Sequence, residues 1–182
     1  MNRQLERAIR KIKIVLTDVD GVFTDGTIYK GNDGVELKRF SVLDGAGVAL
    51  AKMAGLKVAI ISGRYSPATD ERARELGLDD DCYQGDRDKL SVLAVLKEKY
   101  GFADDEAAFI GDDLIDLSTM AKVGFPIAVA NAHPLVKKTA KFTTEARGGE
   151  GAFREAVELI LKGKGIYEST IEELRLKIEN RA

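Results

Sequence analysis

The chain has 182 residues, 45% hydrophobic and 32% charged, a balance that suits one compact domain with a sizeable core. Its 28 basic and 30 acidic residues leave a formal charge of −2, and no basic run with interleaved aromatics marks a nucleic-acid surface. Cys82 is the single cysteine, which excludes an intrachain disulfide and argues against a thiolate zinc site.

The first residues, "MNRQLERAIRKIK", alternate charge with isolated apolar side chains and contain no continuous apolar stretch. Neither a signal peptide nor a membrane span is expected there, so a cytoplasmic location is the default. "IKIVLT" (12–17) reads as a buried strand and runs straight into Asp18, Asp20 and Asp25. "TIYKGNDGVELKRF" (27–40) follows, with two strand-like runs around "NDG", the pattern of a β-hairpin where a crossover helix would normally stand.

Strands are then predicted at "KVAII" (57–61), "AAFIG" (107–111) and "PIAVA" (126–130). Between the strands, "GAGVALAKMAG", "SPATDERARELG", "DKLSVLAVLKEKYG" and "DLIDLSTMAKVG" have helical spacing and end near glycine; Ser66 and Pro67 form a good helix start. A glycine-rich loop in "EARGGEGAFREAVELILKGKG" leads into another helix, and "ESTIEELRLKIEN" carries an Ile171, Leu174, Ile178 stripe suited to packing. The predicted organisation is one domain over 1–165 with a helical extension over 166–182. The fold class is α/β: a Rossmann-like three-layer sandwich with a mainly parallel sheet, plus the small hairpin.

In open parallel sheets, ligands gather beyond the carboxyl ends of the strands. Asp18 and Asp20 follow the first strand, Ser62 follows the second, and "GDDLID" supplies Asp112, Asp113 and Asp116 after the strand at 107–111. Lys89 opens the helix before that strand. Carboxylates this close repel one another unless a cation sits among them, and all-oxygen donors favour Mg²⁺. One carboxylate could then attack phosphorus while a second, two residues on, moves the proton.

In order and spacing, "DVDGVFTDG", "ISGR", Lys89 and "GDDLID" resemble the four motifs of the haloacid dehalogenase-like phosphatases. The resemblance implies Asp18 as nucleophile and metal ligand, and Asp20 as acid/base with its backbone carbonyl on the metal. It implies Ser62 and Lys89 as phosphate holders and Asp112 as the third ligand of Mg²⁺. Asp113 and Asp116 are left with supporting or capping roles, Asp25 with shaping the loop, and the lone His133 with a structural one.

Only the hairpin and one helix fit between Asp20 and Ser62, so no large cap domain covers the site. "CYQGDRDKL", "ANAHP" and "RGGEGAFRE" narrow the resemblance to the capless, tetrameric branch that dephosphorylates an eight-carbon sugar acid for lipopolysaccharide synthesis. It implies substrate contacts at Ser41, Val42, Leu43, Asp44, Gly45, Arg64 and Arg72 besides Asp20 and Lys89. It also implies a homo-oligomer, expected as a tetramer; Ile28, Tyr29, Val35 and Leu37 give the hairpin an apolar face suited to that assembly, and neither nucleic acid nor membrane is expected as a partner. The alternatives are a phosphatase for a nine-carbon sugar acid and a non-catalytic regulatory or oligomerisation module beside a sugar-activating enzyme. A phospho-receiver domain fits less well, because its acidic pair precedes the acceptor Asp, whereas here the pair comes last.

Overall fold

The apolar run after Lys13 folds as β1 (Ile14–Thr17), buried along its whole length, and becomes the middle of the sheet. In the computed structural model, which describes residues 3–179, β1 pairs in parallel with Lys57–Ser62 on one side and Ala107–Gly111 on the other. In chain order the strands are β1, β2 (Tyr29–Lys30), β3 (Glu36–Leu37), β4 (Lys57–Ser62), β5 (Cys82–Gln84), β6 (Ala107–Gly111), β7 (Phe125–Ala128) and β8 (Phe142–Thr143). Six of them form one all-parallel sheet in the order β5-β4-β1-β6-β7-β8. Near-continuous apolar character in β1, β4, β6 and β7 follows from helices covering the sheet.

The helices are α1 (Arg3–Lys11), α2 (Val42–Met53), α3 (Pro67–Glu75), α4 (Lys89–Tyr100), α5 (Leu117–Lys122), α6 (Pro134–Thr139), α7 (Ala152–Lys164) and α8 (Tyr167–Glu179). Helices α1, α2, α7 and α8 pack as one group, and α4 with α5 as another. This is the α/β sandwich expected from the alternation. β2 and β3 pair antiparallel as a separate two-stranded sheet, the hairpin expected around "NDG". Pro67 does open α3, although the Ser66 hydroxyl makes no capping bond.

Three elements escaped the sequence reading. β5 and β8 have only three and two residues, half-buried at the sheet edges, too short for an apolar run to register. α1 hides its stripe among charges: Leu5, Ala8 and Ile9 follow helical spacing, and Ile9 is fully buried against the α7 residue Gly163. In α8, Ile171 and Leu174 pack against the core; the Ile178 side chain and residues 180–182 lie outside the described residues.

Candidate active site

The sheet delivers its acids at one edge. Asp18 stands just past β1, where its N–H donates to the Ile110 carbonyl of β6 at 3.0 Å and its own Oδ1 accepts from the Val19 N–H at 2.6 Å. The chain then turns back through Gly21 at φ +86°, where a Cβ would strike the Asp112 carboxylate; only glycine serves both demands. Asp112 follows β6, and its carbonyl accepts from the His133 N–H at 2.7 Å. The His133 imidazole is spent elsewhere, its Nδ1 accepting from the Leu135 N–H at 3.2 Å to cap α6.

Asp116 organises this corner. It is fully buried, and its Oδ2 accepts from the N–H groups of Asp112 at 2.9 Å and Asp113 at 3.3 Å. Its Oδ1 lies 2.6 Å from Nζ of Lys89, which reaches Asp18 Oδ2 at 2.8 Å. A buried ammonium thus bridges two buried carboxylates. Burial works against the charge of Lys89, but Asp18 and Asp116 outweigh it and hold its pKa above the ordinary value. At the end of β4, the Ser62 hydroxyl donates to the Arg64 carbonyl at 3.0 Å and lines the same cleft.

Burial pushes the Asp18 carboxyl up to about 7, with repulsion from Asp116 adding to it and Lys89 opposing. Asp112 is pushed up to about 8, again by burial first and then by Asp18 and Asp116. Carboxylate oxygens of Asp18, Asp112 and Asp116 all lie within 4.8 Å of one another. The oxygens of Asp116 and of Asp18 already face donors, whereas Asp112 Oδ1 is buried with no partner. A buried, unpartnered carboxylate oxygen among hard donors fits a divalent cation such as Mg²⁺, and here that oxygen belongs to Asp112.

Asp20 does not join that cluster. Its Oδ1 faces Nζ of Lys38 at 2.6 Å, an ion pair poorly aligned for a hydrogen bond, and the Lys38 side chain is fully buried. One step back on the same strand face, Glu36 clasps the Arg64 guanidinium through both carboxylate oxygens, which holds Glu36 down at about 2. The hairpin therefore turns Glu36 and Lys38 towards the site and leaves Val35 and Leu37 exposed.

The cleft, about 580 Å³, is lined by Asp18, Asp20, Ser62, Arg64, Asp112 and Asp113 together with Arg87, a residue the sequence reading passed over. Six expected substrate contacts are not brought there within one chain. Ser41 caps α2, its Oγ accepting from the Leu43 N–H at 3.2 Å, while Val42 and Leu43 face outward and Gly45 packs beside Arg72. Arg72 bonds Glu75 at 2.8 Å and borders a groove between the hairpin and α3. Asp44 is the one most firmly engaged elsewhere within the chain. It is fully buried and accepts from the N–H groups of Gly151, Phe153 and Arg154 at 3.0–3.3 Å, because α7 starts at a glycine that has no side chain to cap it.

A parallel sheet with a buried Asp–Lys–Asp array and an orphaned carboxylate at its carboxyl edge is built for phosphoryl chemistry, and residues 81–153 match the haloacid dehalogenase-like hydrolases. The curated 3-deoxy-D-manno-octulosonate 8-phosphate phosphatase KdsC of Escherichia coli K12 is 45% identical over 154 residues, 85% of this chain and 81% of that protein. The crystal structure of the same phosphatase from Moraxella catarrhalis, in complex with magnesium ion, phosphate ion and KDO, superposes with a TM-score of 0.91 at 38% identity, covering 96% of this chain and 99% of that one. The Yersinia pestis enzyme gives 0.89 at 41% identity, covering 92% and 90%. The chain belongs to the 3-deoxy-D-manno-octulosonate 8-phosphate phosphatase family of haloacid dehalogenase-like hydrolases.

Proposed function

We propose that this protein is a Mg²⁺-dependent phosphatase that hydrolyses 3-deoxy-D-manno-octulosonate 8-phosphate to the free sugar acid and phosphate. The observation that carries the mechanism is the buried Lys89 bridge between Asp18 and Asp116, set beside the unpartnered Asp112 oxygen. Bound Mg²⁺ would neutralise the acidic cluster and polarise a phosphoryl oxygen. Asp18 and Asp112 would hold it, with the Asp20 carbonyl as the third protein ligand that the family pattern implies.

Asp18 attacks phosphorus, the bond from phosphorus to the substrate's C8 oxygen breaks, and Asp20 protonates that departing oxygen. The aspartyl-phosphate on Asp18 is then attacked at phosphorus by a water whose proton Asp20 takes, which frees phosphate and restores Asp18. Ser62 and Lys89 hold the phosphoryl oxygens, where charge is spread during transfer. Asp116 acts through Lys89 and the Asp112 and Asp113 amides, keeping the array aligned.

One chain leaves this cleft open, and the hairpin's outward face exposes Tyr29 (52%), Val35 (49%) and Leu37 (62%). That face supports a homo-oligomer, a tetramer by the family pattern, in which a neighbour covers the site and supplies the substrate contacts that one chain lacks. No described helix is long and apolar enough to cross a membrane, and a cytoplasmic location suits a phosphorylated substrate.

The test is phosphate release, with Mg²⁺ and with chelator, from the octulosonate 8-phosphate, a nonulosonate 9-phosphate, a hexose 6-phosphate and a nucleoside monophosphate. A Mg²⁺-dependent preference of about 100-fold in kcat/KM for the eight-carbon acid is expected. Preference for the nine-carbon acid would overturn the substrate and keep the chemistry. No release from any ester would favour the non-catalytic reading.

A further inference from the structure

We infer that Arg87 is the residue of this chain that reads the substrate's carboxylate, and so sets the preference for a sugar acid over a neutral sugar phosphate. The inference rests on the function proposed above, which supplies a substrate with two anions, a phosphate ester at one end and a carboxylate at the other.

The argument is an account of charge at the cleft. Only two cations line it among the described residues, Arg64 and Arg87. Arg64 is committed to Glu36 through both guanidinium N–H₂ groups. Lys89, beneath the floor, is committed to Asp18 and Asp116, and Lys38 to Asp20. Arg87 alone has no carboxylate partner among the described residues.

Its flanking acids are engaged by other donors. Asp86 accepts from the Asp88 N–H at 2.8 Å and the Ser91 hydroxyl at 3.1 Å, and Asp88 caps α4 by accepting from the Leu90 N–H at 3.2 Å. The loop between β5 and α4 thus spends its acids on its own backbone and keeps its arginine free.

Position separates this group from the phosphate holders. A Cβ built on Gly63 would lie 3.8 Å from both Cα and Cγ of Arg87, so the base of that side chain crosses the loop just after Ser62. Arg87 is exposed at the rim, whereas Lys89, two residues on, is buried under the nucleophile. The phosphoryl slot between Asp18, Ser62 and Lys89 is already furnished. A planar guanidinium on the outer wall matches a carboxylate with two parallel hydrogen bonds, which a sugar hydroxyl could not return.

The test compares the parent with Arg87→Gln, Arg87→Lys and Arg87→Ala on the octulosonate 8-phosphate and on ribose 5-phosphate, an ester with no carboxylate. Turnover of the acid by the parent establishes the functional reading first, so failure there is distinct from failure of this inference. Arg87→Gln should lower kcat/KM for the acid by about 10- to 100-fold, mainly through KM, and leave ribose 5-phosphate within about twofold. Inhibition by the free eight-carbon acid, which has no phosphate, should weaken about tenfold in the same variant, with Arg87→Lys intermediate. Equal losses on both esters would assign Arg87 to the phosphate and overturn the inference. Unchanged kinetics on the acid would overturn it too. The side chain is exposed, so the fold should survive, and matching circular dichroism spectra check that.

Discussion

Removing Mg²⁺ should make this protein lose stability as pH rises, the reverse of ordinary acid denaturation. The Asp18 carboxyl titrates at about 7 in the fold and near 3.8 in the unfolded chain. Below pH 3.8 the group is protonated in both states and costs nothing. Between about pH 4 and 7 the unfolded chain ionises while the folded one keeps its proton, so stability falls by about 1.4 kcal/mol per pH unit, to a loss of about 4 kcal/mol. Asp112, at about 8, extends the window by a further pH unit. Because Asp18 and Asp112 repel each other, their losses overlap rather than add.

From pH 5 to 8 the metal-free protein should therefore lose about 3–4 kcal/mol at this site, roughly 6–16 °C in Tm for a chain of this size. Mg²⁺ binds the ionised carboxylates and should restore stability selectively at the upper end, by about 2.7 kcal/mol at a hundredfold excess over Kd. Differential scanning fluorimetry at pH 5 and pH 8, each with Mg²⁺ and with chelator, reads this directly. A Mg²⁺ shift of equal size at both pH values would refute the reasoning.

Asp44→Ala should lower stability by about 2–3 kcal/mol, because three amides at the start of α7 lose their acceptor. Chemical denaturation checks it, and a midpoint unchanged from the parent would return Asp44 to a substrate role. Lys89→Met leaves Asp18 and Asp116 facing each other without a counter-charge and should cost roughly 10²–10³-fold in kcat/KM at a retained fold. Leu37→Asp on the exposed hairpin face should reduce the assembly seen by light scattering and lower activity with it; an unchanged mass would remove the hairpin from the interface.

The fold was legible wherever apolar runs were long enough to declare their period. β1, β4, β6 and β7 are buried on both faces and read as uninterrupted hydrophobic strands. β5 and β8 pair at the edges through two or three residues whose sequence has no periodicity to show. Within the site, Asp18, Ser62 and Asp112 could be placed because each lies at or just past a strand end, and strand ends converge by topology. Lys38 and Arg87 could not, since both sit on connecting segments whose path depends on how the hairpin folds back and how the β5–α4 loop caps itself.

The bond of Asp44 to the start of α7 was hidden for a related reason. Its partners, Gly151 to Arg154, lie more than a hundred residues away, and nothing near Asp44 in the sequence reveals an uncapped helix waiting for a carboxylate. Asp116 was visible in "GDDLID", but its hold on Lys89 depends on burying both side chains together.

The central claim is that Asp18 attacks phosphorus. It is tested most directly by initial rates of Mg²⁺-dependent phosphate release from 3-deoxy-D-manno-octulosonate 8-phosphate, measured on the parent and on Asp18→Asn at matched circular dichroism spectra. The amide keeps the shape and removes the nucleophile, so the variant should turn over about 10⁴-fold more slowly or worse. A variant that keeps activity within tenfold of the parent would contradict the account.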